Sequence, residues 1–484
     1  MTNKICLTTL FILFFLINGC EDKEPGISDI TKLDALVTEL ETQVFARNVF
    51  QSPALANRYL VHTDEALNAQ YYTWSSIPFL FYDRLKLAVQ LEEKAKEAGL
   101  KNYQAVGKLF QAYIADRITQ LFGDVPYSEV IANGGELGQS KYDFQKDIYI
   151  KVLNDLKEVN EMLDPSAEMI GGDVVYNGDV MKWRKLSNVL RLRFLIGMSL
   201  KTNDPDLNII ADFKEIVENP NEFPIFSSNE DNTNFYFDLA EGEEYPFFED
   251  PKFETSYFLD AYFVDLLKER NDPRLFKMAE PEKVAIDNGI SPTDLEAFNG
   301  IKGSNLLEDN QEAVQKGNGS PIHSRYYSDP ANEPSLTASY FEQEFTLAEA
   351  AQLGWISSNP ETHYKNGIVS SMEFYNIEGN SINEYLTQSN VVFSPNEGMN
   401  QILTQKYLAL FLNTDWLGAY SLRRTGLPVL DNSGNGVQNG GIVPKRWNYP
   451  DTELESNLEN VTEAINRQFG GQDDINGLMW VLQE

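Results

Sequence analysis

Cysteine is almost missing from this chain: Cys6 and Cys20 are the only two in 484 residues. Both lie at the extreme N-terminus, so no disulfide framework can staple the bulk of the chain, and its stability must come from a core. Histidine is nearly as scarce. His62, His323 and His363 are far apart, and with no H-E-x-x-H or paired-Cys spacing a catalytic zinc site has no support. Positive charge is also short. Thirty-nine Lys and Arg face 73 Asp and Glu, a formal charge of −34 that repels phosphate backbones and argues against nucleic acid as a partner. A G-x-S-x-G elbow and a phosphate-cradling glycine loop are both absent, and with so many carboxylates the closeness of any two says nothing about glycoside hydrolysis. Glu241, Glu243 and Glu244 read as solvated loop charge. No enzyme is expected.

What the N-terminus does have is Lys4, the only charge in the first nineteen residues, followed by an apolar run from Leu7 to Ile17 broken by Thr8 and Thr9. A membrane span needs about 20 apolar residues, so this run is a removable signal segment and not an anchor. It ends in Ile17-Asn18-Gly19-Cys20, which resembles a lipobox, with Asn18 departing from the usual small residue. The expectation is a signal peptide over 1–19, acylation of Cys20, and a lipidated flexible tether over 20–28 that contains Pro25 and Gly26. Several acyl chains on one Cys make an anchor stable where a single chain is marginal.

Beyond the tether, the apolar positions Val106, Leu109, Phe110, Tyr113, Ile114, Ile118 and Leu121 recur at helical steps and stop at Gly123. The same period runs from Ile148 to Leu163 and, after Asp179 as an N-cap, through Trp183, Leu186, Leu190, Phe194 and Met198. Further helices are predicted at about 254–269, 339–353, 361–377, 397–417 and 454–468. Ala348, Ala350, Ala351 and Gly354, facing Tyr364, Ile368 and Met372, read as one tetratricopeptide-like hairpin. Between 201 and 335 Pro, Asn, Asp and Gly take over, with aromatic stretches such as Asn234-Phe235-Tyr236-Phe237-Asp238. Loops that long in a compact protein are usually functional. The expected organisation is an N-terminal helical scaffold over 29–200, a loop-rich lobe over 201–335, and C-terminal helical hairpins over 336–484 with a further loop-rich segment at 430–450.

An ordered set of motifs carries a resemblance. Leu121 through Glu129, Tyr176-Asn177-Gly178-Asp179 with Trp183, Asn188 through Arg193, Arg270 through Leu275, Ala348-Glu349-Ala350 with Gly354-Trp355, Gln405-Lys406-Tyr407, Arg423 through Pro428, and Arg446 with Tyr449-Pro450 follow one another across the chain. Together they resemble the SusD/RagB family of nutrient-binding outer-membrane lipoproteins. That resemblance implies a mainly α, tetratricopeptide-like helical-hairpin scaffold with a large loop-rich ligand-binding lobe. It implies an oligosaccharide ligand, or in some members a peptide, delivered to a SusC-like TonB-dependent outer-membrane transporter. A structural or adhesive surface protein on the same scaffold is the alternative from another class. Glu21-Asp22-Lys23-Glu24 resembles the acidic signals that place lipoproteins of Bacteroidetes-like bacteria on the outer face of the outer membrane.

Most of these motifs carry structural duties of their own. Gly123 through Tyr127 reads as a scaffold corner, because Pro126 bars helix at Val125. Arg191, Arg193, Arg423 and Arg424 read as partners for carboxylates or caps for carbonyls. A sugar site needs flat aromatic faces beside planar donors. The candidates are Tyr71, Tyr72 and Trp74, which precede two serines, and Arg325, Tyr326 and Tyr327 in a Pro- and Ser-rich loop. Trp183, Trp416 and Trp447 read as structural. The run Asp431 to Gly436 alternates oxygen-bearing residues like the start of a calcium loop, but its twelfth position is Ile442 where a bidentate Glu is needed. No cofactor is expected.

Overall fold

The computed structural model describes residues 27–46, 49–240, 242 and 244–484. The signal segment, Cys20, all but the last two residues of the expected tether, Glu241 and Glu243 lie outside them. The first described helix, Ile27–Leu40, already includes the final two residues assigned to that tether. Among the described residues no helix is long and apolar enough to cross a membrane.

The protein is mainly α, and its frame is a series of antiparallel helical hairpins. Lys101–Phe122 packs against Tyr82–Ala98 on one side and Gln145–Met162 on the other, and Gln145–Met162 packs in turn on Val180–Gly197. Sequence period explains why: Val106, Leu109, Phe110, Tyr113 and Ile114 are all buried in one core with Ile148, Val152, Leu156, Trp183, Leu186 and Leu190. Asp179 caps the last of these helices, its carboxylate accepting from the Met181 and Lys182 amides. Gly123 ends the longest with φ +91°, and Asp124 just beyond it is held by Arg467 at 2.7 Å and by the Gln145 amide at 2.8 Å. The corner read from the sequence is thus a junction between the N-terminal scaffold and the C-terminal Leu458–Phe469 helix.

A second set of hairpins, Tyr340–Gln352, Pro360–Phe374 and Gly398–Ala409, has its own core around Phe341, Phe345, Ile368 and Ile402. Gly367 lets the first pair close. A Cβ there would lie 2.8 Å from two carbons of the Phe345 ring. A buried ion pair, Arg193 on Glu342, locks this set to the first, and another, Arg424 on Glu349 at 2.6 Å, ties it to the Leu417–Thr425 helix. Arg423 caps the Gln120 and Lys445 carbonyls at 2.7 and 3.0 Å, and Arg191 lies 3.7 Å from Glu215. Arg193, Arg423 and Arg424 thus pair with carboxylates or cap carbonyls of the scaffold, whereas Arg191 lies over the Phe223 ring with its Nε and Nη1 buried and unpartnered.

The stretch from 201 to 335 holds short elements on a third core built from Tyr245, Phe253, Leu259, Phe263, Leu267 and Tyr326. It is less irregular than its composition predicts, with helices at Ile209–Glu218, Ala261–Lys268 and Leu307–Gln315. Where one helix is expected over 254–269, Tyr257–Leu259 instead forms a strand paired antiparallel with Leu60–His62. A second ribbon pairs Thr233–Phe235 with Ser335–Ala338. The helix expected over 397–417 stops at Ala409 and a new one starts at Leu417. Between them Leu412 and Asp415 take positive φ, +66° and +54°, so the chain folds back on itself.

Candidate ligand-binding cleft

That break aims Trp416 at Trp74 and Trp447. Trp74 follows the short Asn68–Tyr71 helix, where Tyr72 takes φ +59° and the Thr73 hydroxyl donates to Asn68 Oδ1 at 2.8 Å, turning the chain sharply. Trp447 is fixed by its amide donating to the Leu121 carbonyl at 3.0 Å, at the end of the long scaffold helix. Next to it Asn448 bridges Ser76. The result is a cluster assembled from three distant parts of the sequence. Trp74 stacks on Trp447 at 4.0 Å and 16°, and Trp416 meets both edge-on at 5.4 and 4.7 Å.

The cluster forms one wall of a cleft of about 350 Å³, within the range of small-ligand sites. Phe50, Ile77, Leu80 and Phe81 extend the apolar lining, and Asn68, Ser75 and Ser76 supply polar groups. Leu80 is 58 % exposed at its rim. At its base Arg117 pairs with Asp415 at 2.7 Å and lies over the Phe81 ring at 4.6 Å. Burial pushes the Asp415 carboxyl upward against the pull of Arg117. The Trp74 indole Nε1 is buried with no acceptor in the protein. The three tryptophans are themselves more than nine-tenths buried, so they meet the cleft through small exposed portions beside its hydroxyl and amide groups.

Of the six residues singled out from the sequence, Trp74 alone lines this cleft. Tyr71 and Tyr72 turn inward: the Tyr72 hydroxyl donates to the Ala56 carbonyl and to Asn432 Oδ1 at 3.2 and 3.1 Å, and Arg58 lies 4.9 Å over its ring. Tyr71 is buried beneath Gly436. Tyr326 is fully buried in the third core, and Tyr327 is half-buried beside it. Arg325 packs on Tyr326 and lines a different, more polar cleft. Trp416 and Trp447 are buried, as the sequence predicts, but they also wall the Trp74 cleft. Only the break before Trp416 and the Arg446-Trp447 motif could have pointed to them. Trp183 is wholly core.

In the Asp431 run, the carboxylate of Asp431 accepts from the Ser433 hydroxyl and lies 2.9 Å from Lys302, which together hold it down at about 2. Asn432 Oδ1 accepts from Arg58 Nε at 2.9 Å. The side-chain oxygens of Asp431 and Asn432 are thus engaged by protein donors. Among the described residues no group of three or more His, Cys, Asp or Glu gathers as a metal site.

Comparison with known proteins settles the family. The SusD-like_2 model, described as starch-binding and associating with the outer membrane, matches residues 27–450. The chain belongs to the SusD-like family. A SusD homolog from Bacteroides fragilis NCTC 9343 superposes with a TM-score of 0.87 at 30 % identity, covering 93 % of this chain and 100 % of its own. A second one from the same organism gives 0.85 at 31 % identity, covering 93 % and 99 %. A chitin-binding protein matches with a TM-score of 0.77 at 26 % identity over 93 % of this chain and 100 % of its own. No curated protein sequence matches. The SusD-like assignment accounts for the helical hairpins and identifies the chain as one of a family of outer-membrane-associated nutrient-binding proteins.

Proposed function

We propose that this protein captures a glycan in the tryptophan cleft and passes it to a SusC-like TonB-dependent transporter, without chemistry of its own. The observation that carries this reading is the convergence of Trp74, Trp416 and Trp447 on one cleft edged by Asn68, Ser75 and Ser76. An apolar aromatic wall with a few hydroxyl and amide groups suits a neutral sugar. It offers a phosphate or a carboxylate little, because Arg117 is already committed to Asp415. The chitin-binding relative supports the glycan class. We place the protein on the outer membrane through acylated Cys20, facing the exterior, with the acidic residues after it as the export signal.

The test is isothermal titration against starch-, chitin- and other polysaccharide-derived oligosaccharides, with a peptide panel beside them and with and without the co-purified transporter. Trp74→Ala should weaken the glycan that binds by about tenfold or more, since an aromatic contact beyond area burial contributes about 0.5–1.5 kcal/mol and the buried ring area adds to it. Unchanged affinity in a folded Trp74→Ala protein would remove this cleft from consideration. Binding only to peptides would replace the glycan with a peptide.

A further inference from the structure

A second cleft, of about 400 Å³, shares no lining residue with the first. It lies between the Thr233–Phe235 and Ser335–Ala338 ribbon and the end of the Pro360–Phe374 helix. Strand alternation builds one wall. Phe235 and Phe237 pack edge to face at 5.8 Å against the cores, while Asn234 and Tyr236 line the cleft. Tyr236 is 67 % exposed, yet its position is fixed, because Asn234 Nδ2 donates to its hydroxyl at 3.0 Å. The other end of that amide is unusual. Asn234 is 9 % exposed, and its Oδ1 is buried with no donor in the protein. Buried acceptors are normally satisfied, so this one is open to a hydroxyl from outside.

The rest of the lining narrows the ligand. Five asparagines surround the cleft, against only Pro334 and Phe374 as purely apolar residues. Asn229 and Asn232 are tied up within the protein, Asn229 Nδ2 donating to the Ser370 carbonyl at 2.8 Å and Asn232 Oδ1 accepting from the Tyr340 amide at 2.7 Å, which leaves the acceptor Asn234 Oδ1 and the likewise unpartnered donor Asn332 Nδ2 to meet adjacent sugar hydroxyls. Charge is balanced: Lys277 and Arg325 face Glu333 and Glu373. Arg325 is moreover fully engaged, pairing with Glu333 and donating to Asn332 Oδ1 at 2.9 Å, the Tyr326 hydroxyl at 2.7 Å and the Lys277 carbonyl at 2.8 Å. On a chain of formal charge −34, a locally neutral cleft favours a neutral ligand.

We propose that this cleft is a second saccharide site, with a sugar ring lying on Tyr236 and its hydroxyls meeting the asparagine amides. The inference rests on the glycan reading of the protein and goes beyond it by adding an independent site. Two sites on one chain would let a polymer stay bound at one while it is released from the other, raising avidity with no new contact at either.

The test uses maltoheptaose and chitohexaose as probes on the purified protein, read by titration and by hydroxyl-radical footprinting. Tyr236 is exposed, so Tyr236→Ala should fold. We expect a probe to shield Tyr236 from oxidation both in wild type and in Trp74→Ala. Tyr236→Ala should then weaken the binding that remains in Trp74→Ala by about tenfold or more. Equal oxidation of Tyr236 with and without a probe that shields Trp74 would overturn the second site and leave the first standing. Shielding of Tyr236 with Trp74 unaffected would support the second site and sink the first. If neither sugar binds the wild type, or if an oligopeptide shields Tyr236 where neither sugar does, the saccharide assignment is overturned.

Discussion

Gly107 offers a sharp check on how the scaffold positions the tryptophan cleft. It lies in the Lys101–Phe122 helix against the Tyr82–Ala98 helix, and a Cβ there would sit 2.6 Å from the Glu92 backbone nitrogen and 3.0 Å from Ala88 O and Glu92 Cα. These are backbone atoms, so no rotamer change can clear them and the helices must move apart. Overpacking of this kind costs about 1–3 kcal/mol. Alanine restores up to about 1 kcal/mol of helix propensity, leaving Gly107→Ala destabilised by between about 0 and 3 kcal/mol. Gly197 is the control, because nothing lies within 4 Å of a Cβ added there. Gly197→Ala should be neutral or stabilising by up to about 1 kcal/mol, and less than that at the end of its helix. Urea unfolding reads both, with a lower midpoint at unchanged slope expected for Gly107→Ala. Because Arg117 and Leu121 on the same helix line the cleft, glycan affinity should fall in that variant alone. If Gly107→Ala proved more stable than wild type, the close approach of these helices would be wrong.

Two further outcomes follow from buried charge. Glu41 is buried facing Asp173, and burial, then the charge of Asp173, raises its pKa well above the usual carboxylate range. A raised folded-state pKa means that its contribution is present in acid and is lost as pH climbs through the folded value. Glu41→Gln should therefore gain thermal stability relative to wild type as pH rises, while the two match in acid; parallel profiles would refute the carboxyl–carboxylate contact. Arg274 and Asp272 are both 0 % exposed and pair at 2.6 Å, with Gln405 and Ser371 completing the guanidinium's bonds at 3.1 and 2.9 Å. Arg274→Met strands a buried carboxylate and should cost about 3–5 kcal/mol by urea unfolding; a loss below about 1 kcal/mol would show that water reaches the site.

The helical frame is readable from sequence wherever one face is apolar for several turns and a cap or stop residue marks one end. Lys101–Phe122 and Val180–Gly197 meet that condition through Gly123 and Asp179, and their observed bounds agree with the pattern to within a residue or two. Tyr82–Ala98 escapes it. Its exposed face carries Glu93, Lys94, Lys96 and Glu97, while Leu85, Ala88, Val89, Leu91 and Ala95 make a buried stripe of partly small residues, a weaker signal. The loop-rich texture of 201–335 conceals Ile209–Glu218 and blurs the start of Ala261–Lys268, expected from 254, for a different reason. Pro and Gly between short elements dominate a windowed reading, whereas the elements are held by aromatic packing from outside the window, such as Phe263 on Phe411 at 5.2 Å.

The cleft is harder to read than the fold, and the cause lies in how it is made. Trp74 stands out because two serines follow it in a stretch without clear period. Trp416 does not stand out, because a continuous apolar pattern across 397–417 hides the break that exposes it. That break depends on Leu412 and Asp415 taking positive φ, conformations that neither residue type advertises. What stabilises them is tertiary: Asp415 is held by Arg117 from the long scaffold helix. Trp447 likewise depends on the Leu121 carbonyl to hold its amide. The aromatic wall is thus a product of scaffold contacts, so substitutions in the helix that carries Arg117 and Leu121 should alter ligand affinity without touching ligand. The second cleft follows the opposite rule. Its wall is local, Asn234 in the strand and Tyr236 just after its end, and its ligand preference should survive changes to the long helices that disturb the first.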